Sequence, residues 1–128
     1  MSRLKTKDIM IEVETMFLPK QSLPYSSYLF FAYKVTLHNF GSYSIQLIKR
    51  HWDIYDFEGG KHKVDGDGVV GILPVIHPNE SYTYTSGCNL EGEFGKMSGY
   101  YTFINLDTPK IFLIEIPEFT LMVPYLNN

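Results

Sequence analysis

A chain of 128 residues and 14.8 kDa is the size of one ordinary domain, and 45% hydrophobic with 20% charged residues excludes a disordered polymer. Eleven Lys and Arg against 14 Asp and Glu give a net charge of -3, so no basic footprint invites nucleic acid. A single cysteine, no basic-then-apolar opening stretch and no apolar run near the ~20 residues of a spanning helix predict a cytoplasmic protein without membrane insertion.

Aromatic residues make up 16% of the chain, which favours pleated surfaces over helices. Residues 1–7 read as a loose N-terminal end, followed by one domain over 8–128. Within 8–17, Ile9, Ile11 and Val13 alternate with Met10, Glu12 and Glu14, the period of a strand with one wet face. Leu29, Phe31, Tyr33, Val35 and Leu37 alternate in the same way across 28–39. A turn at Asn39-Phe40-Gly41-Ser42 leads into a third strand over 43–55, which ends in the polar tract 56–60. The middle changes texture: nine of the ten glycines fall between Gly59 and Gly99, predicting long loops. Three further strands are expected at 81–88, 99–106 and 110–123, with a tight connection at 106–110. Because proline cannot donate a ladder hydrogen bond, Pro117 places the last strand at an edge or at a bulge.

No capped, helix-period stripe persists for three turns. The pattern predicts an all-β protein of about seven strands in two antiparallel sheets packed face to face, with a small closed barrel as the second choice.

Two stretches hold residue types that carry chemistry. Gly66-Asp67-Gly68-Val69-Val70-Gly71 matches the glycine pattern that cradles a dinucleotide pyrophosphate at a helix N-terminus. Here no helix can follow, since Val69-Val70-Gly71-Ile72-Leu73-Pro74 comes next. What the motif leaves open is a small anion site built from backbone N–H groups, or a turn that needs glycine's freedom. In Lys49-Arg50-His51-Trp52-Asp53, strand alternation sends Arg50 and Trp52 to one face and His51 and Asp53 to the other. Arg50 then reads as a staple along the Trp52 ring with its guanidinium near a carboxylate such as Asp56, or as an anion hook. His51 and Asp53 can orient one another, but no Ser or Cys nucleophile stands beside them. The four histidines lack metal-ligand spacing, and the acids Asp53, Asp56, Glu58, Asp65 and Asp67 read as a solvated face with weak divalent binding as the alternative.

The order of blocks resembles the ApaG domain family across nearly the whole chain, from about residue 8 to 124. The blocks are Phe31 to Asn39, Gln46 to Asp56, Val64 to Gly71 with Pro74 and Pro78, Tyr84 to Cys88, Gly95 to Tyr101 and Ile116 to Leu121. A glycine is usual in the family where Asn79 stands, and Glu91-Gly92-Glu93 is more acidic than its pattern. The resemblance implies an immunoglobulin-like or fibronectin type III-like sandwich. It also implies an association with cobalt and magnesium efflux or resistance in stand-alone bacterial members, protein binding in the eukaryotic domains, and a pyrophosphate suggestion for the glycine loop.

Together these readings predict a binding module rather than an enzyme, without cofactor or metal. An unidentified protein partner is expected, with Arg50, His51, Trp52, Asp53, Gly66, Asp67, Gly68 and Gly71 as the candidate contact residues. The alternatives are a small anion on the glycine loop and a weakly held divalent cation on the acidic stretch.

Overall fold

A computed structural model describes residues 1–22 and 28–127. Among these residues nine strands form: β1 (Ser2–Thr6), β2 (Ile9–Phe17), β3 (Leu29–Asn39), β4 (Ile45–Asp56), β5 (Gly60–Asp67), β6 (Val75–Ile76), β7 (Ser81–Leu90), β8 (Phe94–Asn105) and β9 (Lys110–Met122). A single helical turn, Pro19–Ser22, and a 3-10 turn, Pro124–Asn127, are the helical elements among the described residues. One sheet has the order β1-β2-β3-β7 and the other β5-β4-β8-β9, with β6 paired to the start of β4. Every pairing is antiparallel.

The two sheets face each other as a sandwich because alternation gives each strand one apolar face. Ile11, Val35 and Leu37 from one sheet and Leu47, Tyr101, Phe103, Ile114 and Leu121 from the other are fully buried. Each such side chain contributes about 1.5–3 kcal/mol of burial. The hydroxyls of Tyr84 and Tyr101 meet inside this core and satisfy one another. Asn39 is also buried and fully used: its amide donates to the carbonyls of Tyr43 and Ile76, and its side-chain oxygen accepts from Gly41.

The three expected N-terminal strands and the three C-terminal ones all form. Pro117 lies on an edge strand and also in a bulge, since Met97 pairs with Phe119 and Gly99 with Ile116, leaving Pro117 and Glu118 opposite Ser98. Three differences from the sequence pattern stand out. Residues 1–7, expected as a loose end, supply β1, which is folded onto β2 by a two-residue turn in which Lys7 (φ 51°) and Asp8 (φ 64°) are both left-handed. The glycine-rich middle is not a long loop, because it contains β5 and β6, which together with β1 bring the strands to nine rather than about seven. β5 escapes the alternation test because nearly all of it is exposed on both faces and is held by its ladder to β4. Asn79, which stands where the resembling family has glycine, adopts φ 66°, a conformation asparagine tolerates better than most residues.

Candidate functional site

Strand β4 is the spine of the site, and a bulge sets which way its side chains point. Leu47 pairs with Phe103 and Lys49 with Thr102, so Ile48 is an extra residue that inverts the alternation. Before it, odd-numbered Ile45 and Leu47 face the core; after it, even-numbered Trp52 does. His51 and Asp53 therefore turn to the outer face of the second sheet, as the alternation predicts.

On that face, register aligns Asp65 of β5, His51 of β4 and Tyr100 of β8 in one cross-strand row. His51 Nδ1 lies 2.6 Å from Asp65 Oδ1, and Nε2 lies 3.1 Å from Asp53 Oδ1. Its ring stacks on Tyr100, with centroids 4.7 Å apart and planes at 20°. The hydrogen bond to Asp65 raises the pKa of His51 above the ordinary imidazole value; burial opposes this and Asp53 reinforces it.

Arg50 takes a different course from the expected carboxylate staple. Its Nη1 donates to the backbone carbonyls of Asp67 (2.9 Å) and Gly68 (3.1 Å). Asp56 is engaged elsewhere, accepting from the amides of Glu58, Glu91 and Gly92. Burial pushes the Asp56 carboxyl up, but the amides of Glu91, Gly92, Gly59 and Glu58 outweigh it and leave the pKa below the usual value. Gly66 leaves room for Arg50, since a Cβ there would sit 2.6 Å from the guanidinium and displace it.

The glycine motif forms a hairpin and no helix follows it. Gly68 donates to the Ile48 carbonyl, Val69 to Ile72 and Ile72 back to Val69. Val70 (φ 47°) and Gly71 (φ 75°) are the two left-handed central residues of that turn. Three of the loop's amides are thereby committed to protein carbonyls.

A pocket of about 300 Å³ opens on this face, lined by Lys49, Arg50, His51, Asp65, Gly66 and Tyr100 together with Asp67 and Thr102. Of the residues singled out from sequence, Arg50, His51, Gly66 and Asp67 meet in it, and Asp53 reaches it through His51. Trp52 does not: it is 2% exposed, wedged among Tyr33, Phe119 and Tyr101 in the core. Gly68 and Gly71 shape the hairpin and do not line the pocket. Lys49 follows from the same stretch and Asp65 from the acidic one, whereas Tyr100 and Thr102 are gained through pairing register, a signal no single stretch of sequence carries.

Chemically, both nitrogens of His51 are engaged by carboxylates, so the ring holds charge in place and has no free lone pair to act as a base. Burial pushes the Cys88 thiol up to about 11, keeping it protonated at neutral pH. Among the described residues, no three His, Cys, Asp or Glu side chains are grouped to hold a metal ion. The acids of 53–67 are divided, with Asp53 and Asp65 on His51 and Asp56 capping turns.

The profile of a domain family described as the ApaG domain matches residues 19–105. Protein ApaG of Methylorubrum extorquens is 44% identical over 128 residues, covering 100% of this chain and 98% of that one. Protein ApaG of Bdellovibrio bacteriovorus is 40% identical over 124 residues, 97% of each chain. Among solved structures, a putative ApaA protein from Bordetella pertussis aligns with a TM-score of 0.86 and 39% identity over 94% of this chain and 98% of that one. Structural genomics target SoR45 aligns equally well, over 93% and 89%.

Proposed function

The chain belongs to the ApaG domain family, and from that premise we propose that it is a non-catalytic module that binds a protein partner with the outer face of its second sheet. The observation that supports this reading is a run of apolar side chains beside the His51 pocket. Val75 and Ile104 flank Gln46 in the ladder, Ile104 pairs with Ile111, and Thr102 pairs with Leu113. Val75, Ile111 and Leu113 are exposed, at 42%, 65% and 54%, and Ile72 and Leu73 of the neighbouring hairpin are exposed as well. Contiguous apolar surface rimmed by charge is costly to leave in water and marks an interaction site. Lys49, Asp65 and the His51 cluster supply that rim.

The part in cobalt and magnesium efflux that the family resemblance implies would be played in the cytoplasm through such a partner, since moving an ion across a bilayer needs a spanning structure. Affinity capture from the native cell tests the reading. One protein should be retained by the wild type and lost with Leu113→Lys and with Ile111→Lys. Retention unchanged in both variants, or turnover of a metabolite by the purified chain, would overturn it. A second reading, a small anion in the pocket, is favoured by Lys49 and Arg50 on its wall. Pyrophosphate should then move the amides of Gly66 to Gly71, and a silent titration rejects it.

A further inference from the structure

We propose that β7 takes up an extended segment of a partner protein as an added strand, whose alternate apolar side chains enter the cleft between the edges of β5 and β7. This surface is separate from the outer face of the second sheet.

Besides the two-residue β6, four strands end the two sheets, and three of them carry the devices that keep an edge from pairing. β1 is five residues long with Arg3 and Lys5; β5 carries Lys61, Lys63, Asp65 and Asp67; β9 has Pro117 and its bulge. β7 has none. Its ten residues include no charge and no proline, and its register to β3 runs from Leu29↔Leu90 to His38↔Ser81 without a shift.

Hydrogen-bond parity fixes which of its groups are open. The Asn39 amide donates to the Glu80 carbonyl, whereas the Phe40 amide donates to Asp8 at the end of β2. Odd-numbered β3 residues therefore bond to β7, and they face even-numbered partners. Ser81, Thr83, Thr85, Gly87 and Asn89 accordingly direct their N–H and C=O groups away from β3. Among the described residues, no strand pairs with that side.

Beyond this edge lies a place for side chains. Two cavities of about 230 and 430 Å³ adjoin there, sharing Ile54, Val64, Gly87 and Cys88. The smaller reaches Tyr33, Trp52 and Met97 between the sheets beside Arg50, while Asp56, His62 and Glu91 border the larger. Trp52 Nε1, on a side chain that is 2% exposed, is a buried donor with no acceptor among the described residues. An incoming segment offers main-chain groups to the open edge and apolar side chains, with an acceptor for the indole, to the cleft. A second copy fits less well. Its own β7 already sends Tyr84 and Leu90 into its own core, so self-pairing would satisfy the edge and leave both clefts unfilled.

Selection from a displayed library of random twelve-residue peptides tests this, followed by titration of the isotopically labelled full chain with the selected peptides. Binders should carry apolar residues at alternate positions, protect the amides of Ser81, Thr83, Thr85, Gly87 and Asn89 from exchange, and shift the single indole N–H. Thr85→Pro, which removes an outward donor and spares the β3 ladder, should weaken binding at least tenfold. So should Val64→Lys, at a position 40% exposed. Affinities unchanged in both variants overturn the proposal. So does self-association of the free protein that protects the same five amides. Peptides that bind only near Val75, Ile111 and Leu113 also overturn it, while leaving the reading of the outer face intact.

Discussion

His51 shows how far one side chain depends on its neighbours. Hydrogen bonding to Asp65 raises its folded pKa above the 6.5 of a free imidazole. Protonation therefore favours the folded state, a contribution fully present below the unfolded value and lost as pH rises through the folded one. The urea midpoint of the wild type should fall as pH is carried from 6 to the alkaline side of that window, while His51→Gln should stay flat across it. An NMR titration of the ring locates the folded pKa directly, and a value at or below 6.5 would contradict the charge clamp. Val70 makes a second residue-scale case. A β-branched side chain at φ 47° is strained by on the order of 1 kcal/mol, in a turn whose preferred sequence is Asn-Gly. Val70→Asn ahead of Gly71 should stabilise the protein by about 1 kcal/mol in denaturant unfolding.

Bulges decide what the elements present. The extra residue at Ile48 lets one strand bury Leu47 and Trp52 on the same side, placing Arg50 beside the core and His51 on the surface. Gly99 of β8 lies opposite Trp52 of β4, and a Cβ there would lie 1.9 Å from the His51 carbonyl oxygen. Gly99→Ala should cost about 3 kcal/mol, because β4 and β8 must separate locally to admit it. Loss of the His51 to Tyr100 ring stacking, read from ring-current shifts, should accompany that cost. β2, β3, β8 and β9 were legible as strands because each has one buried and one wet face, which writes period two into the residues. β5 was not, since Lys61, Lys63, Asp65 and Asp67 alternate with His62, Val64 and Gly66 on a ribbon exposed on both sides. Its pairing to β4 is a matter of backbone hydrogen bonds, which any side chain permits.

At the scale of the whole molecule, the single tryptophan joins the sheets. Trp52 from the second sheet touches Tyr33 of the first and Phe119 and Tyr101 of its own, with ring centroids 5.4 to 6.1 Å apart. If the sandwich unfolds as one unit, urea transitions followed by Trp52 fluorescence and by far-ultraviolet circular dichroism should superimpose. Separate midpoints would mean that the sheets melt independently. The candidate site belongs to this scale too: Arg50 and His51 drew notice as neighbours in the chain, but Asp65 and Tyr100 reach His51 across 14 and 49 positions through pairing register alone. Sequence by itself determined the all-β class, six of the strands and the core face of β2 and β3, because burial imposes a local alternation on the residues it selects. Tertiary structure alone decided the two-sheet order, the strands that bury little, the inward turn of Trp52 and the company His51 keeps, because those depend on which backbones pair and in what register.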